Sequence, residues 1–200
     1  MAQGQVTDTS TPADALGRLK AALGEHAAGR GPPPVERWNP PFCGDLDMRI
    51  AADGTWYYMG TPIGRAPLVK LFASVLRKDP ERYVLVTPVE RVGIEVEDAP
   101  FAAVEMAVDG EGRNRTIAFR TNVDDLVEVG PDHPLRFEAD ETGGVKPYVL
   151  VRRDLWARVT RALTYDLIEL GEDRSEGAAE AEFGVFVRDL FYPIPCGEGA

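Results

Sequence analysis

Few residues of this chain have the type and spacing that catalysis requires. Its two histidines, His26 and His133, lie far apart in the sequence. No GxxxxGKS, GxxxxGKT, GxGxxG, GxSxG or HExxH motif occurs, so the common phosphate-binding loops, nucleophile elbows and zinc-binding helices are missing. The sequence therefore predicts no catalytic residues, no metal site and no cofactor, and it favours a protein without enzymatic activity.

One pair of carboxylates keeps a hydrolase open as an alternative. Asp45 and Asp47 alternate with apolar residues, so a strand would place both on one face. Two carboxylates on one face can hold Mg²⁺ together with a phosphate, but the same spacing is typical of a solvated strand face. A carboxylate- and metal-dependent hydrolase is therefore kept as an alternative function, ranked below the other functions that the sequence suggests.

The basic residues offer a different chemistry, the binding of an anion. Arg65 and Arg152 each precede a segment with helical periodicity, and segments 65–91 and 144–165 are rich in basic residues within a chain of net charge −11. A helix N-terminus presents free N–H groups and the positive end of its dipole, and an arginine beside it adds a bidentate donor. Two such helix ends brought together would form a phosphate pocket.

The same arginines have a purely structural interpretation. Arg65 with Asp53, and Arg152 with Asp140, have the charges of ion pairs that would tie a hairpin to a helix. Charged residues at the ends of strands and helices commonly stabilise local structure in this way. Both interpretations stay open at the level of the sequence.

The predicted ligand-binding residues are polar or aromatic side chains near the ends of predicted elements. In this hypothesis the arginines bind phosphate, Trp38 covers the ligand, and Glu90 and Asn122 contact its polar edges. Turn formation and core packing are the alternative roles of such side chains. The predicted set is Trp38, Asn39, Arg65, Thr87, Glu90, Asn122, Arg152 and Arg153.

Composition excludes several classes of function. Lys plus Arg number 22 and Asp plus Glu number 33, a balance that argues against binding to nucleic acid or to an anionic membrane. No apolar run approaches the roughly 18 residues of a membrane-spanning helix. Cys43 and Cys196 form no disulfide framework, and the N-terminus lacks the basic and apolar regions of a signal peptide. We therefore expect a soluble, cytoplasmic protein.

The first part of the chain divides into an arm and a strand–strand–helix unit. Residues 12–28 carry leucines at helical spacing, and the proline-rich segment 29–41 follows as a linker. Alternating apolar residues predict strands over 44–51 and 55–60, and helical spacing predicts a helix over 64–79.

The rest of the chain has the pattern of a β-rich half. A second helix is predicted over 153–170, followed by an acidic stretch (171–182) and a final strand over 183–195. Short strands followed by one amphipathic helix indicate a small antiparallel β-barrel or sandwich that the helix closes. The short strands are predicted over 83–87, 92–97, 101–109, 115–121, 125–129, 135–139 and 146–151.

The chain also matches itself at an offset of 87 residues. RIAAD (49–53) then lies on RFEAD (136–140), and Arg65 lies on Arg152. This alignment indicates a duplication and predicts the α+β class, with duplicated strand–strand–helix units. The predicted domains are an N-terminal helix and arm (1–31), an N-terminal α+β half (32–84), and a C-terminal β-rich half with its closing helix and acidic tail (85–200).

Four strings carry a resemblance to a known family. ERWNPPFCGDLDMRIAADGTWYYMGTPIGR, YVLVTPVERVGIEVEDAPF, FRTNVDD and PYVLVRRDLWARVTR together resemble the bacterial domain-of-unknown-function family 1285, over about residues 32–170. The resemblance implies an α+β core with a duplication and a C-terminal part similar to pleckstrin-homology-like folds. It also implies a ligand of nucleotide type between the halves and a role in bacterial signal transduction.

The predicted function is the non-catalytic binding of an anionic small molecule, of nucleotide type, between two related halves. The first alternative is a protein-interaction adaptor, in which the pleckstrin-homology-like half offers a sheet edge or groove to a protein partner. In that alternative the acidic tail would attract a basic partner.

Overall fold

The computed structural model describes residues 33–140, 143–174 and 182–195. The helix predicted over 12–28 lies outside these residues, as does Cys196. Within them about half of the residues lie in strands and two α-helices are present, so the protein is mostly β. No helix in this part of the chain is long and apolar enough to cross a membrane.

The chain forms two compact units. Of the described residues, the first unit contains those up to Arg49 and Trp56–Glu95, and the second contains Ile50–Thr55 and those from Val96 onward. The division after Glu95 lies further along the chain than the boundary predicted after residue 84. The short segment Ile50–Thr55 thus belongs to the second unit although the first unit surrounds it in the sequence.

Six strands form the first sheet. They are β1 (Phe42–Ile50), β2 (Trp56–Tyr58), β3 (Thr61–Pro62), β4 (Leu76–Asp79), β5 (Arg82–Val86) and β6 (Arg91–Val96). Their order is β3-β2-β1-β6-β5-β4. β1 and β6 run in the same direction, because the Arg91 N–H donates to the Pro41 carbonyl at their starts (3.1 Å) and the Glu97 N–H donates to the Ile50 carbonyl at their ends (3.0 Å).

β1 confirms the strand predicted over 44–51 and shows why it forms. Leu46, Met48 and Ile50 are buried, and they alternate with the exposed Asp45 and Asp47. Successive side chains of a strand point to opposite faces, so this alternation buries one apolar face and solvates the other.

The first helix is shorter than the sequence predicted. α1 spans Ala66–Ser74 and has a proline in its first turn, and its buried Phe72 stacks on Trp56 with ring centroids 6.2 Å apart. The prediction of helix up to residue 79 is wrong, because the chain continues as β4 and pairs antiparallel with β5, with Leu76 opposite Leu85. Pairing within the sheet outweighs the helical propensity of this Leu-, Arg- and Lys-containing segment.

Six more strands form the second sheet. They are β7 (Phe101–Asp109), β8 (Thr116–Thr121), β9 (Leu126–Glu128), β10 (Leu135–Ala139), β11 (Val145–Arg152) and β12 (Leu155–Val159). Their order is β10-β11-β12-β7-β8-β9. The prediction of a purely antiparallel half is wrong at one position, because β12 pairs with β7 in parallel, with Ala157 opposite Phe101.

The segment predicted as one helix over 153–170 is a strand followed by a helix, α2 (Arg161–Glu169). In β12 the buried Leu155, Ala157 and Val159 alternate with half-buried residues. Apolar residues at these positions fit a helical stripe and a strand face equally well, so the pattern alone did not separate the two. Parallel pairing with β7 decides in favour of the strand.

A small third sheet follows α2. It consists of β13 (Glu172–Arg174), β14 (Glu182–Val187) and β15 (Leu190–Pro193), in the order β13-β14-β15. The single strand predicted over 183–195 is therefore a hairpin, whose turn at Arg188 and Asp189 has φ values of 49° and 63°. α2 packs against β7, β11 and β14, which joins this sheet to the second unit.

The two six-stranded sheets confirm a duplication. Both are curled, in the manner of a half-barrel, and the order β3-β2-β1-β6-β5-β4 corresponds strand for strand to β9-β8-β7-β12-β11-β10. The repeated unit is thus six strands rather than strand–strand–helix. The offset of 87 residues is wrong, because it places the end of β1 on β10, whereas the matching strand is β7.

Candidate functional site

Three of the predicted ligand-binding residues belong to the first unit's loops. Trp38 is half-buried after a 3₁₀ turn, and its carbonyl oxygen accepts a hydrogen bond from Arg77 Nη1 at 2.8 Å. Asn39 is exposed. Arg65 is exposed and is the N-cap residue of α1, so it does lie at a helix N-terminus, as the sequence predicted.

Thr87 and Glu90 form a closed polar turn. They are 0% and 8% exposed. Thr87 Oγ1 accepts hydrogen bonds from the N–H groups of Val89 (3.3 Å) and Glu90 (3.1 Å). Thr121 makes a similar turn in the second unit, where its Oγ1 accepts from the Asp125 N–H at 3.0 Å. Their geometry is that of turn formation, which was the alternative role for these side chains.

Asn122 holds two backbone segments of the second unit together. Its Oδ1 accepts from the Ala102 N–H at 3.1 Å, and its Nδ2 donates to the Gly54 carbonyl at 3.2 Å. Both functional atoms of the amide are therefore used within the fold, and Asn122 fixes the position of the segment Ile50–Thr55 within this unit.

Arg152 also contacts the start of β7. It forms an ion pair with Asp125, and its guanidinium lies 4.8 Å from the centroid of the Phe101 ring. The prediction that Arg152 precedes a helix is wrong, because it ends β11 and α2 begins only at Arg161. Arg153 follows it in the turn to β12, exposed and with a φ of 52°.

The second unit contains a cavity with a basic lining, of about 460 Å³. α2 contributes one helical face to its wall, because Arg161, Thr164, Tyr165 and Ile168 are spaced three or four residues apart. We call this space the basic cavity. Its other lining residues are Asp140, Gly143, Gly144, Val145, Lys146 and Pro147 of the β10–β11 hairpin, and Arg158 and Val159 of β12.

A carboxylate outside the lining of the basic cavity holds Arg158 in place. Its Nη1 donates to Asp98 Oδ2 at 2.9 Å, and Asp98 Oδ1 accepts from the Tyr148 hydroxyl at 2.8 Å. Burial raises the pKa of Tyr148, and the hydrogen bond to Asp98 raises it further. The phenol therefore stays protonated and donates. The guanidinium of Arg158 is thereby fixed at the cavity wall with its other nitrogens still able to donate.

The other two cations of the basic cavity have weaker constraints. Arg161 Nε donates to the Tyr165 hydroxyl at 3.2 Å, and that bond raises the pKa of Arg161. Across the part of the chain that the structure describes, no hydrogen bond or ion pair engages the Lys146 ammonium. Among the described lining residues Asp140 is the single carboxylate, and it already accepts from the Gly144 N–H at 2.7 Å, so cationic groups dominate this lining.

A second cavity, of about 360 Å³, shares a wall with the basic cavity. Arg158, Val159 and Arg161 line both spaces. We call this second space the adjoining cavity. Its other lining residues are Ala52, Asp53, Ala102 and Thr160.

The first unit has a cavity of opposite character, of about 380 Å³. Asp45, Asp47 and Glu95 line it together with Arg49, whose guanidinium lies 4.4 Å from the Tyr57 ring centroid. We call it the acidic cavity. Among the described residues no group of three or more His, Cys, Asp or Glu side chains is placed to hold a metal ion.

Sequence reasoning did not select the residues of the basic cavity. The sequence shows that segment 144–165 is basic, but it does not show which of its basic residues share one space. Lys146, Arg158 and Arg161 come from a strand, a second strand and a helix, and only the pairing of β11 with β12 and the packing of α2 bring them together. The spacing of Arg161, Thr164, Tyr165 and Ile168 was the available signal, once the helix start is known.

Comparison with known families agrees with this architecture. A model described as the domain of unknown function DUF1285, N-terminal domain, matches residues 33–99, and a model for the DUF1285 C-terminal domain matches residues 100–194. The chain belongs to the DUF1285 family. The two DUF1285 models meet close to the division between the two compact units. A search of the curated proteins found no match.

Solved structures of DUF1285 proteins are similar to this chain. A DUF1285 family protein from Silicibacter pomeroyi DSS-3, known at 2.50 Å, is 46% identical with a TM-score of 0.78, and the match covers 88% of this chain and 96% of that one. A DUF1285 family protein from Shewanella baltica OS155, known at 1.40 Å, is 29% identical with a TM-score of 0.49, and the match covers 62% of this chain and 91% of that one.

Proposed function

We propose that the second unit binds an anionic small molecule in the basic cavity. The observation that carries the proposal is the convergence of Lys146, Arg158 and Arg161 on one space of about 460 Å³ in a chain whose net charge is −11. Acidic residues outnumber basic ones 33 to 22 in this chain, yet three cations and one carboxylate are the charged groups among the described residues that line this concave site. Cavities with low-dielectric walls and one sign of charge concentrate ions of the opposite sign.

The chemistry of the three cations favours a phosphate over a simple halide. Arginine presents a planar fork of donors that matches the oxygens of phosphate or carboxylate, and lysine adds a mobile point charge. Arg158 is preorganised by Asp98, which reduces the entropy lost when an anion binds. Tyr165, 55% exposed at the cavity wall, offers a ring face to an organic substituent, so a nucleotide also fits the proposal.

Calorimetric titration with inorganic pyrophosphate tests this proposal. We expect the unmodified chain to bind pyrophosphate, and the double variant Lys146→Ala with Arg161→Ala to bind at least about tenfold more weakly, because two charge-assisted contacts are lost. The matched control is Arg65→Ala with Lys70→Ala, which removes two exposed cations of the first unit and should leave the affinity unchanged.

Two results would overturn the proposal. One is the absence of pyrophosphate binding to the unmodified chain. The other is a loss of affinity in the Arg65 and Lys70 variant but not in the Lys146 and Arg161 variant, which would place the anion at the N-terminus of α1, as the sequence first suggested. Thermal unfolding of each variant shows whether it is folded under the conditions of the titration.

We also propose that the second unit is pleckstrin-homology-like in its finer architecture. Its curled sheet is followed by α2 after the last strand, and α2 packs on β7 and β11, which supports a sheet closed by one helix. An experimental structure of this chain tests the proposal, because superposition on pleckstrin-homology domains must then place α2 on their closing helix.

A protein-interaction adaptor is the second candidate, favoured by one edge of the second sheet. β9 is an edge strand of that sheet, and its Leu126 is 80% exposed. Edge strands pair readily with an extended partner segment. Leu126→Lys should abolish capture of such a partner while pyrophosphate binding persists. Deleting the C-terminal hairpin is unsuitable as a test, because Val185 and Val187 are fully buried.

We propose a cytoplasmic location for this binding activity. Cys43 is a free, exposed thiol, a state that a reducing compartment maintains. Cell fractionation followed by immunodetection would test the location.

A further inference from the structure

We infer that the anion bound in the basic cavity carries a polyol group, and that Asp53 binds the hydroxyls of that group in the adjoining cavity. This inference rests on the function proposed above and adds to it the chemical class of the ligand, a phosphorylated polyol. Asp53 lines the adjoining cavity and is not among the lining residues of the basic cavity, so a phosphate bound by the cations does not account for its position.

The two cavities are neighbours, because some residues line both of them. Arg158 and Arg161 line both of them. A phosphate held by these arginines in the basic cavity therefore has the adjoining cavity beside it. With volumes of about 460 and 360 Å³, the two spaces together are large enough for an anion with an organic substituent.

The adjoining cavity has the mixed polarity that hydroxyl groups need. Asp53 supplies acceptor oxygens, while Arg158 and Arg161 supply N–H donors and Thr160 supplies a hydroxyl. A hydroxyl both donates and accepts, so it can satisfy the carboxylate and the guanidinium groups together. An ammonium group would meet Asp53 but would be repelled by the two arginines, and a second phosphate would be repelled by Asp53.

The backbone that carries Asp53 is fixed tightly for a surface turn. Gly54 closes the turn with its N–H on the Ala51 carbonyl at 2.9 Å, and its φ of 84° favours glycine. Glu97 accepts from the Ala52 N–H at 2.9 Å. Asn122 donates to the Gly54 carbonyl at 3.2 Å. These contacts set the position of Asp53 before any ligand arrives, which is the condition for selective binding.

The Asp53 carboxylate is already engaged within its own turn. Its Oδ1 accepts from the Thr55 N–H at 2.8 Å, and a carboxylate has about four lone-pair sites, so it can accept from several donors at once. The hydrogen bond to Thr55 orients the group. A hydroxyl that donates to a charged acceptor forms a stronger bond than one between neutral groups.

Calorimetric titration with two matched phosphates tests this inference. Glycerol 3-phosphate and propyl phosphate have the same phosphate and the same carbon chain, and they differ in two hydroxyls. We expect glycerol 3-phosphate to bind about tenfold more tightly, because its hydroxyls form hydrogen bonds to charged groups, which are stronger than those between neutral groups even at a partly exposed site. Asp53→Asn should reduce the ratio of the two dissociation constants to about one.

Asp53→Asn is a conservative variant for this turn. Asn-Gly forms the same class of turn as Asp-Gly, so the backbone should keep its shape while the charged acceptor is lost. The matched control is Asp173→Asn, which removes an exposed carboxylate in β13 that lines neither cavity. The control should keep the roughly tenfold preference for glycerol 3-phosphate.

Each failure has its own signature. Equal affinity of the unmodified chain for both phosphates overturns this inference and leaves the proposed function standing, whether or not the Asp53 variant folds. A preference that survives in Asp53→Asn also overturns it. Failure of the unmodified chain to bind either compound, or pyrophosphate, overturns the proposed function itself.

Discussion

The two units share a strand order and differ in where the helix lies. In the first unit α1 connects β3 to β4. In the second unit the corresponding connection, from β9 to β10, contains no helix among its described residues. There the helix, α2, follows the last strand, β12. That difference determines the chemistry of the cavities. α2 supplies Arg161 and Tyr165 to the basic cavity, while strand residues such as Asp45 and Asp47 dominate the acidic cavity of the first unit.

A duplicated scaffold need not carry a duplicated site. Backbone pairing sets the order of six strands in both units, and it leaves the outward side chains free to vary. Asp47 on β1 and Lys146 on β11 both project from strands into cavities of similar size, yet with opposite charge. The charge of each cavity is therefore set by its own side chains and not by the repeat.

The largest expected effect concerns the cores, where the two units should behave alike. Trp56 in the first unit and Phe119 in the second are each 1% exposed. Replacing either by alanine should lower the free energy of unfolding by about 3–5 kcal/mol, because a large buried side chain leaves a cavity. Urea denaturation measures both values. A loss below about 1 kcal/mol in one of them would show that the two cores are not packed equally well.

A smaller effect should be specific to the second unit. The Arg115 side chain is 10% exposed, and its guanidinium donates to the Leu170 carbonyl at 2.8 Å and to Glu172 at 3.2 Å. Arg115→Met should destabilise the chain by about 1–3 kcal/mol, because the carbonyl at the end of α2 loses its donor. Arg37→Met, at an exposed position of the first unit, serves as the control in the same urea titration and should change little.

At alkaline pH the loss of stability should depend more on Tyr148 of the second unit than on Tyr58 of the first. Burial raises the pKa of both above the ordinary 10.0, aided at Tyr148 by its hydrogen bond to Asp98 and at Tyr58 by the charge of Asp47. A raised pKa means that the folded state holds the proton more tightly, so this stability is complete below pH 10 and is lost as the pH rises above it. Tyr148→Phe should therefore lose less stability than the unmodified chain between about pH 9 and about pH 11.

Urea denaturation at several pH values checks this prediction. The same substitution at Tyr58 should flatten the alkaline loss less, because the raised pKa of Tyr58 reflects a smaller set of interactions. An equal or greater effect at Tyr58 would contradict the expected difference between the units.

The smallest expected effect is at an exposed ion pair of the second sheet. Arg120 pairs with Glu105 and with Asp124, and the hydrogen bond from Arg120 lowers the pKa of Glu105. The stabilisation that accompanies a lowered pKa is present above the ordinary value of 4.5 and is lost as the pH falls. Because the pair is exposed to solvent, Glu105→Gln should leave the melting temperature at neutral pH nearly unchanged. A large decrease would mean that this pair anchors β7 to β8.

Several elements could be predicted from the sequence because their pattern is unambiguous. The predicted bounds of β7 and β10 agree with the structure, since alternation and flanking turn residues point to the same boundaries. The prediction of one helix from Leu155 to Leu170 is wrong because the apolar positions of this segment fit both the period of a strand, two residues, and that of a helix, 3.6 residues. The parallel partner of β12 lies about fifty residues earlier in the chain, beyond the reach of local patterns.

The candidate site was less predictable than the fold for a related reason. The sequence identified the basic segment that contains Lys146 and Arg158, but not which of its residues face one space. That depends on the register of β11 against β12 and on the start of α2 at Arg161. Of the residues predicted to bind a ligand, Asn122 and Arg152 contact the start of β7 through their polar groups.

The parallel pairing of the first and last strands in each repeat has a consequence for synthesis of the chain. β7 cannot acquire its neighbour β12 until about fifty further residues have left the ribosome, and β1 likewise waits for β6. Closing so long a loop is entropically costly and slow compared with forming a hairpin. Each repeat should therefore emerge as nascent hairpins and acquire its native sheet in a late step, once its final strand is free to return to its first.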